Sequence, residues 1–499
     1  MYIGLYKSTI VPVLYSLLIL FIIIFFLNIN LVIKQFRRIK KRTWMYLGII
    51  FLAGFVLRFF IFPHAHLMYI DEPWYIETAK NINQRMEPVW CQYVGPGEEN
   101  CSLTPKAPGW PFLISILFLL GGTYHSVFYL SSMIGSLSII LMFLLTFLIF
   151  RQEKTALWSA LLLAFVPIHI IWSNSVETNN ASLFFVLLTM TFFFIYIHRR
   201  DTRIIPLVIL GYIFAFLVRP ENALLAFIIM LGYTILLRKK LLEYYPLIVL
   251  GLIGLIIIIE AYFLRIFRFA YLTIDLYYLN LLDFIKVVSF NYIFLIIFLI
   301  GYHKRLELKY VISVFLIFFM IYLPLYSETR MALTPLAFLI ILAASSLERI
   351  RKYFGSYSLK VPAGCLVAAI MLIIFSFFFF SFHGRFIERN EQNILETISV
   401  PKAASVVPDD CYIIMEWPTI MNAVSDHKVI PTSHALLFPA SIDGVRCLYY
   451  FHDGACSEPS ISDSVKYSFR CEKMLEDYDM REIKKFSYRN TSFYLYKIK

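Results

Sequence analysis

The sequence predicts a polytopic all-α membrane protein of about twelve spanning helices, followed by a small extracytoplasmic α/β domain. Three observations predict it. Of 499 residues, 60% are hydrophobic and 16% charged, with a mean hydropathy of +0.72. A water-solvated core of this length cannot hide so much apolar surface, so lipid must solvate much of the chain. Apolar stretches long enough to cross a bilayer recur up to residue 382, and beyond it the pattern turns polar and turn-rich with strand-like alternation.

The expected spans fall near 9–33, 44–62, 125–150, 155–171, 181–198, 203–218, 221–237, 244–264, 287–302, 309–325, 331–347 and 361–382. The first run is too long for a signal-peptide core. It ends in Lys34, Arg37, Arg38, Lys40, Lys41 and Arg42 rather than in small cleavage residues, which reads as a retained helix with a strong stop signal.

Charge gives the chain a direction. With the N-terminus outside, loops 34–42, 151–154, 198–203, 238–243, 303–309 and 348–360 face the cytoplasm and carry net charges of +6, +1, +2, +2, +2 and +3. Positive loops stay on the cytoplasmic side. The formal charge of +12 is thereby explained by orientation, and nucleic acid is not implied as a partner. The long segment 63–110 faces outward with Asp71, Glu72, Glu77, Glu87, Glu98 and Glu99 against Lys80, Arg85 and Lys106. This parity requires the apolar segment 110–120 to lie along the outer surface. Pro105, Pro108 and Pro111 break its start and Gly121–Gly122 end it, as expected of a short juxtamembrane helix.

Three units follow: an extra N-terminal helix with its basic loop (1–43), a transmembrane unit (44–382) with outer loop 63–124, and an outer soluble domain (383–499) with strands expected near Cys411–Glu416 and Ser492–Ile498. Cys91 and Cys101 share the outer loop, and Cys411, Cys447, Cys456 and Cys471 lie in the soluble domain. An oxidising compartment makes disulfides plausible there, with the pairing open.

The chemistry is expected at the outer rim. In Tyr69-Ile-Asp-Glu-Pro-Trp-Tyr75, Pro73 suits a first helical turn and puts Asp71 and Glu72 at the helix N-terminus. Such carboxylates cap the helix, or take a proton from a hydroxyl, or ligate a divalent ion. Glu177 lies in a short outer turn close to hydrocarbon, where an acid is costly unless it is used or caps the next helix. Lys106, Arg219 and Arg330 also reach the outer side. Each alone suits snorkelling to headgroups, and together they suit one anionic group such as a phosphate. No nucleotide-binding loop appears.

These motifs, in this order, resemble those of the GT-C membrane glycosyltransferases, in particular the dolichyl-phosphate-mannose protein mannosyltransferase and aminoarabinose transferase group. Asp71-Glu72-Pro-Trp-Tyr75 with Ala79 is similar to the acidic motif of their first outer loop. Thr104-Pro-Lys-Ala-Pro-Gly-Trp-Pro111 resembles their lysine-proline segment. Glu177 falls where a second acid is often found, Arg219-Pro-Glu221 resembles a recurrent turn, and Arg330-Met-Ala-Leu-Thr-Pro335 a late arginine-to-proline motif.

The resemblance covers most of 44–347 and implies an inverting, mannosyltransferase-like enzyme. It would move a sugar from a polyprenyl- or dolichyl-phosphate donor to a hydroxyl on a glycan, lipid or protein acceptor, outside the cytoplasm. It implies Asp71 as base or metal-associated carboxylate (a divalent cation, Mg or Mn), Glu72 in support, and Lys106 and Arg330 at the donor phosphate. Arg219 at the phosphate is a geometric inference. The expected location is the plasma membrane or the endoplasmic reticulum membrane. The competing reading, a transporter or flippase of a lipid-linked or small polar substrate, calls for midplane charges and half-repeats. The important charges lie instead at the outer rim, and no internal repeat is visible.

Overall fold

The computed structural model describes residues 2–62, 64, 71–95, 98–104, 106–237, 294, 297–299, 305–325, 333–353, 395, 397–416, 418–437, 445, 447–452, 464–488 and 491–498. Of the expected spans, 244–264, 361–382 and most of 287–302 lie outside these residues, as do Cys456 and Arg330.

Helix α1 (Tyr2–Phe36) and α2 (Lys41–Val56) open the chain, and α2 runs on into a π-helical turn, Leu57–Ile61. α1 packs on the rest along one face, with the Tyr15 ring edge-on to Phe112 at 4.8 Å and Phe21 against Phe214 at 5.9 Å. Its other face is apolar and exposed, as a lipid-facing helix requires. The segment that follows forms α3 (Asp71–Arg85), a hairpin of β1 (Val89–Gly95) and β2 (Glu98–Leu103), and α4 (Gly109–Leu119). Cys91 and Cys101 face each other across the hairpin and are disulfide-bonded. The eleven-residue α4 is the short helix expected at 110–120.

α5 (Tyr124–Phe150), α8 (Thr178–Arg199), α9 (Ile205–Val218) and α10 (Leu224–Leu237) build the bundle core. α5 and α8 end at Arg151 and Arg200, both left-handed with φ of 55° and 59°. Their amides close the last turns onto Phe147 and Tyr196, and the positive side chains suit the negative helix ends. The span expected over 155–171 is not one straight helix. It divides into α6 (Glu153–Phe165) and α7 (Pro167–Ser173), bent by 59°, because Pro167 has no N–H to give and its ring clashes with the preceding turn. α11 (Leu306–Leu325) and α12 (Leu333–Tyr353) complete the described helices of this part.

Among the described residues, four helices are long and apolar enough to cross a membrane, or five if the bent pair is one span.

Among the described residues, the C-terminal part holds a five-stranded mixed sheet in the order β4-β3-β5-β7-β6. It comprises β3 (Tyr412–Met415), β4 (Lys428–Pro431), β5 (Leu448–His452), β6 (Met480–Tyr488) and β7 (Thr491–Ile498). β3 pairs parallel with β4 and β5, and β7 pairs antiparallel with β5 and β6. Alternate residues of β3 serve opposite faces: Ile413 and Met415 enter one apolar core, Tyr412 and Ile414 the other. Cys411 is disulfide-bonded to Cys447. A short helix, α13 (Pro418–Val424), packs on α3 and brings this sheet against α3 and the hairpin.

Candidate active site

α3 begins at Asp71, so both acids of its first turn sit at the positive end of the helix dipole. Asp71 turns to the open side: its Oδ1 lies 2.8 Å from Lys106 Nζ, with the two side chains 15% and 30% exposed. A pair that solvent reaches is one that a ligand can reach. The ammonium also stands 5.7 Å from the centre of the Trp74 ring, and Trp74 lies 5.8 Å from Trp90. An aromatic floor therefore borders the pair.

Glu72 turns inward and is fully buried, and its Oε2 accepts the amide of Val176 at 3.1 Å. The carbonyl of the same Val176 accepts Trp110 Nε1 at 2.6 Å. One residue thus ties α3 and α4 to the turn ahead of α8. Glu177 follows directly, buried at the N-cap position of α8. Two residues on, the Asn179 side-chain oxygen accepts from Arg219 Nη1. Arg219 also reaches Glu221, with Nη2 3.3 Å from Oε1. Gly109 closes the ring: a Cβ there would lie 2.6 Å from the Leu217 carbonyl and 2.8 Å from Val218 N. Only a glycine lets the start of α4 rest on the last turn of α9, which Arg219 follows.

Asp71, Glu72, Lys106, Glu177 and Arg219 are thereby brought to one end of the bundle. Asp71 and Lys106 are in contact, whereas Glu72, Glu177 and Arg219 are joined through Val176, Asn179 and the α4–α9 contact. The side chain of Arg219, expected toward a phosphate, is engaged by Asn179 and Glu221. Arg330 lies outside the described residues. Sequence reasoning assigned no role to Trp110 or Gly109, although both stand in the Thr104–Pro111 motif.

A divalent ion at Asp71 would meet the Lys106 ammonium already at its oxygen. Among the described residues, one group of three metal-ligand types lies within ligating distance of one another, Cys91, Glu99 and Cys101, and its two sulfurs are joined in the disulfide. The described residues therefore do not form a ready metal site around Asp71.

The C-terminal domain grips the same helix. Lys80 Nζ donates to the carbonyls of Asn422 (2.9 Å) and Ser425 (2.7 Å) and to Asp426 Oδ1 (2.8 Å) at the end of α13. Beside it, Glu77 Oε1 accepts the Cys91 amide at 2.8 Å and Asn422 Nδ2 at 3.4 Å. Its Oε2 is buried without a partner among the described residues. Burial lifts this carboxyl to about 8, against the pull of the Cys91 amide, Asn422 and Lys80.

Comparison with known proteins bears on the fold. Residues 105–263 match the family model of dolichyl-phosphate-mannose-protein mannosyltransferase. No curated protein matches the chain. The archaeal oligosaccharyltransferase AglB from Archaeoglobus fulgidus, solved with an inhibitory peptide and a dolichol-phosphate, is similar in structure. The TM-score is 0.56 at 14% identity, over 91% of this chain and 74% of that one. ArnT from Cupriavidus metallidurans, solved with undecaprenyl phosphate, gives a TM-score of 0.55 at 13% identity, over 92% and 98%. The Archaeoglobus oligosaccharyltransferase in complex with Zn and sulfate gives 0.50 at 14% identity, over 90% and 72%.

Proposed function

Proceeding from the fold of a multi-pass membrane protein of GT-C glycosyltransferase type, we propose that this chain is an inverting glycosyltransferase. It moves a sugar from a polyprenyl- or dolichyl-phosphate donor to a hydroxyl acceptor on the extracytoplasmic side. The observation that carries this reading is the solvent-reachable Asp71–Lys106 pair at the head of α3. It sets a base beside a cation in a segment bordering the family match.

The isoprenoid tail lies among the helices and the phosphate approaches Lys106. A second anion beside the ammonium draws it from Asp71, which frees the carboxylate for the acceptor proton. The acceptor oxygen bonds to the anomeric carbon as the bond to the phosphate oxygen breaks, inverting the centre. The electron pair leaves on the phosphate, where Lys106 stabilises the growing charge. Glu72 holds the Val176 turn that carries Glu177, and Arg219 fixes that turn through Asn179. Lys106 supplies a cation that Asp71 faces. Arg330 is assigned to the phosphate on the motif alone, and the C-terminal domain is placed outside by loop parity.

The test is to incubate the purified full chain with a panel of polyprenyl-phosphate sugars and follow release of the lipid phosphate. Asp71→Asn should lower transfer at least about a hundredfold, the usual range for losing a general base, while undecaprenyl phosphate still binds. Equal loss of transfer and binding would make Asp71 a structural residue. A wild-type chain that binds polyprenyl phosphates but transfers from none of the panel would overturn the reading.

A further inference from the structure

Beneath the Val176 turn lies a charge that the proposed chemistry does not use. Arg58 is fully buried within the second apolar helix, in the π-helical turn Leu57–Ile61. The amide of Phe62 there reaches back five residues to the Leu57 carbonyl at 3.0 Å. A guanidinium in a membrane bundle is costly and requires a full set of acceptors.

The acceptors come from the broken span. Pro167 offers no N–H to the Leu163 carbonyl, and the bend behind it opens the Ala164 carbonyl as well. Arg58 takes both, with Nη2 3.4 Å from Leu163 O and Nη1 3.1 Å from Ala164 O. Nη1 also donates to Gly54 O at 2.8 Å in its own helix. Beyond the bend, Nη2 lies 2.7 Å from His169 Nδ1 and Nε 3.3 Å from Ser173 Oγ, both on α7. Because a guanidinium only donates, His169 accepts at Nδ1 and carries its proton on Nε2. Gly54 makes the approach possible: a Cβ there would lie 2.5 Å from Ile139 Cδ1 and 3.2 Å from Arg58 Nη1.

The planar fork therefore spans both halves of the break. The far half ends at Ser173, three residues before Val176 and four before Glu177. Ser132 secures the junction, with its Oγ 2.8 Å from Asn174 Oδ1 and 3.2 Å from Ser173 O.

We propose that Arg58 is a positioning residue: it holds the broken α6–α7 span bent so that the 174–177 turn meets Glu72 and delivers Glu177 to the rim. This rests on the glycosyltransferase reading for its effect on turnover, but the placement of the turn is measurable without it. Satisfying two stray carbonyls is a different role, and Pro167→Ala separates the two. An alanine returns an N–H to the Leu163 carbonyl and lets the helix straighten, so it removes the need for a donor without restoring the bend.

The experiment compares wild type, Arg58→Met, Arg58→Lys and Arg58→Met/Pro167→Ala as full chains. Amide exchange at residues 174–177, thermal stability and donor turnover are measured together. Arg58→Met should speed exchange of the Val176 amide at least about tenfold, the equivalent of about 1.4 kcal/mol, with kcat reduced and KM for the lipid donor unchanged. Arg58→Lys, which keeps the charge but loses the fork, should fall between. The double variant should regain thermal stability while exchange at 174–177 stays fast and turnover stays low.

Recovery of all three in the double variant would overturn the proposal, as would slow exchange at 174–177 in Arg58→Met. If Arg58→Met does not accumulate, Arg58→Lys against Arg58→Lys/Pro167→Ala gives the same decision. A wild type inactive toward every donor, with the exchange pattern as expected, would count against the glycosyltransferase reading and leave Arg58 positioning the turn.

Discussion

Rising pH should loosen the contact between the C-terminal domain and α3, with Glu77 as the cause. Its carboxyl is lifted from 4.5 to about 8, chiefly by burial. One oxygen is held by the Cys91 amide and Asn422, and the other has no partner among the described residues. The folded pKa lies above the unfolded one, so the folded state keeps a proton that the opened state releases. Stability contributed by this group is complete below about pH 4.5 and is lost as pH rises toward about 8.

The loss is about 1.4 kcal/mol per pH unit, or about tenfold per unit in the opening equilibrium. The charges of Lys80 and Glu99 act on Glu77 in opposite directions. Glu77→Gln keeps the shape and removes the titration. Amide exchange over α3, β1 and α13 should be followed from about pH 6 to about pH 8 and corrected for intrinsic rates. Opening in wild type relative to Glu77→Gln should grow about fiftyfold over that range, because the folded carboxyl is itself half-ionised by about pH 8. Parallel pH dependence in the two proteins would refute the reasoning.

Lys80→Met should cost the domain contact about 1.5–3 kcal/mol, since the ammonium serves two carbonyls and Asp426. Limited proteolysis should then release the C-terminal domain faster, and unchanged cleavage would remove Lys80 from the contact. Gly109→Ala places a methyl against the Leu217–Val218 backbone. It should destabilise the fold by about 1–3 kcal/mol and weaken undecaprenyl phosphate binding, measured by thermal shift with and without the lipid. Dialysis against EDTA should leave transfer within about twofold of the untreated enzyme, since Lys106 faces Asp71. A large loss restored by Mg or Mn would place a divalent ion at that carboxylate instead.

Amino-acid order alone determined the features that depend on local chain chemistry. The apolar runs marked α1, α2, α5, α8 and their neighbours because a helix with every backbone group satisfied within itself is what lipid solvates. Pro73 and the acids before it marked the head of α3, and the glycines and prolines around 105–122 marked α4 as a short separate helix. The strand-like runs Cys411–Glu416 and Ser492–Ile498 correspond to the strands Tyr412–Met415 and Thr491–Ile498. Loop parity predicted one shared rim for Asp71, Lys106, Glu177, Arg219 and Arg330, and among the described residues Asp71 and Lys106 are in contact.

Tertiary structure decided how these residues meet. Asp71 and Glu72 are adjacent in sequence, yet one faces solvent and Lys106 while the other is buried on the Val176 amide. Helix geometry turns neighbouring residues to different faces, and only the packing says which face is open. Pro167 stood in plain view within an apolar run, but its consequence required a partner more than a hundred residues away. Arg58 finds its acceptors only once α2 and the bend are side by side. Its single charge inside a span was the available signal. The Cys91–Cys101 and Cys411–Cys447 pairings and the Lys80 and Glu77 contacts across more than three hundred residues likewise come from approach in space. Composition sets which environments a residue tolerates, and packing alone supplies the particular neighbour.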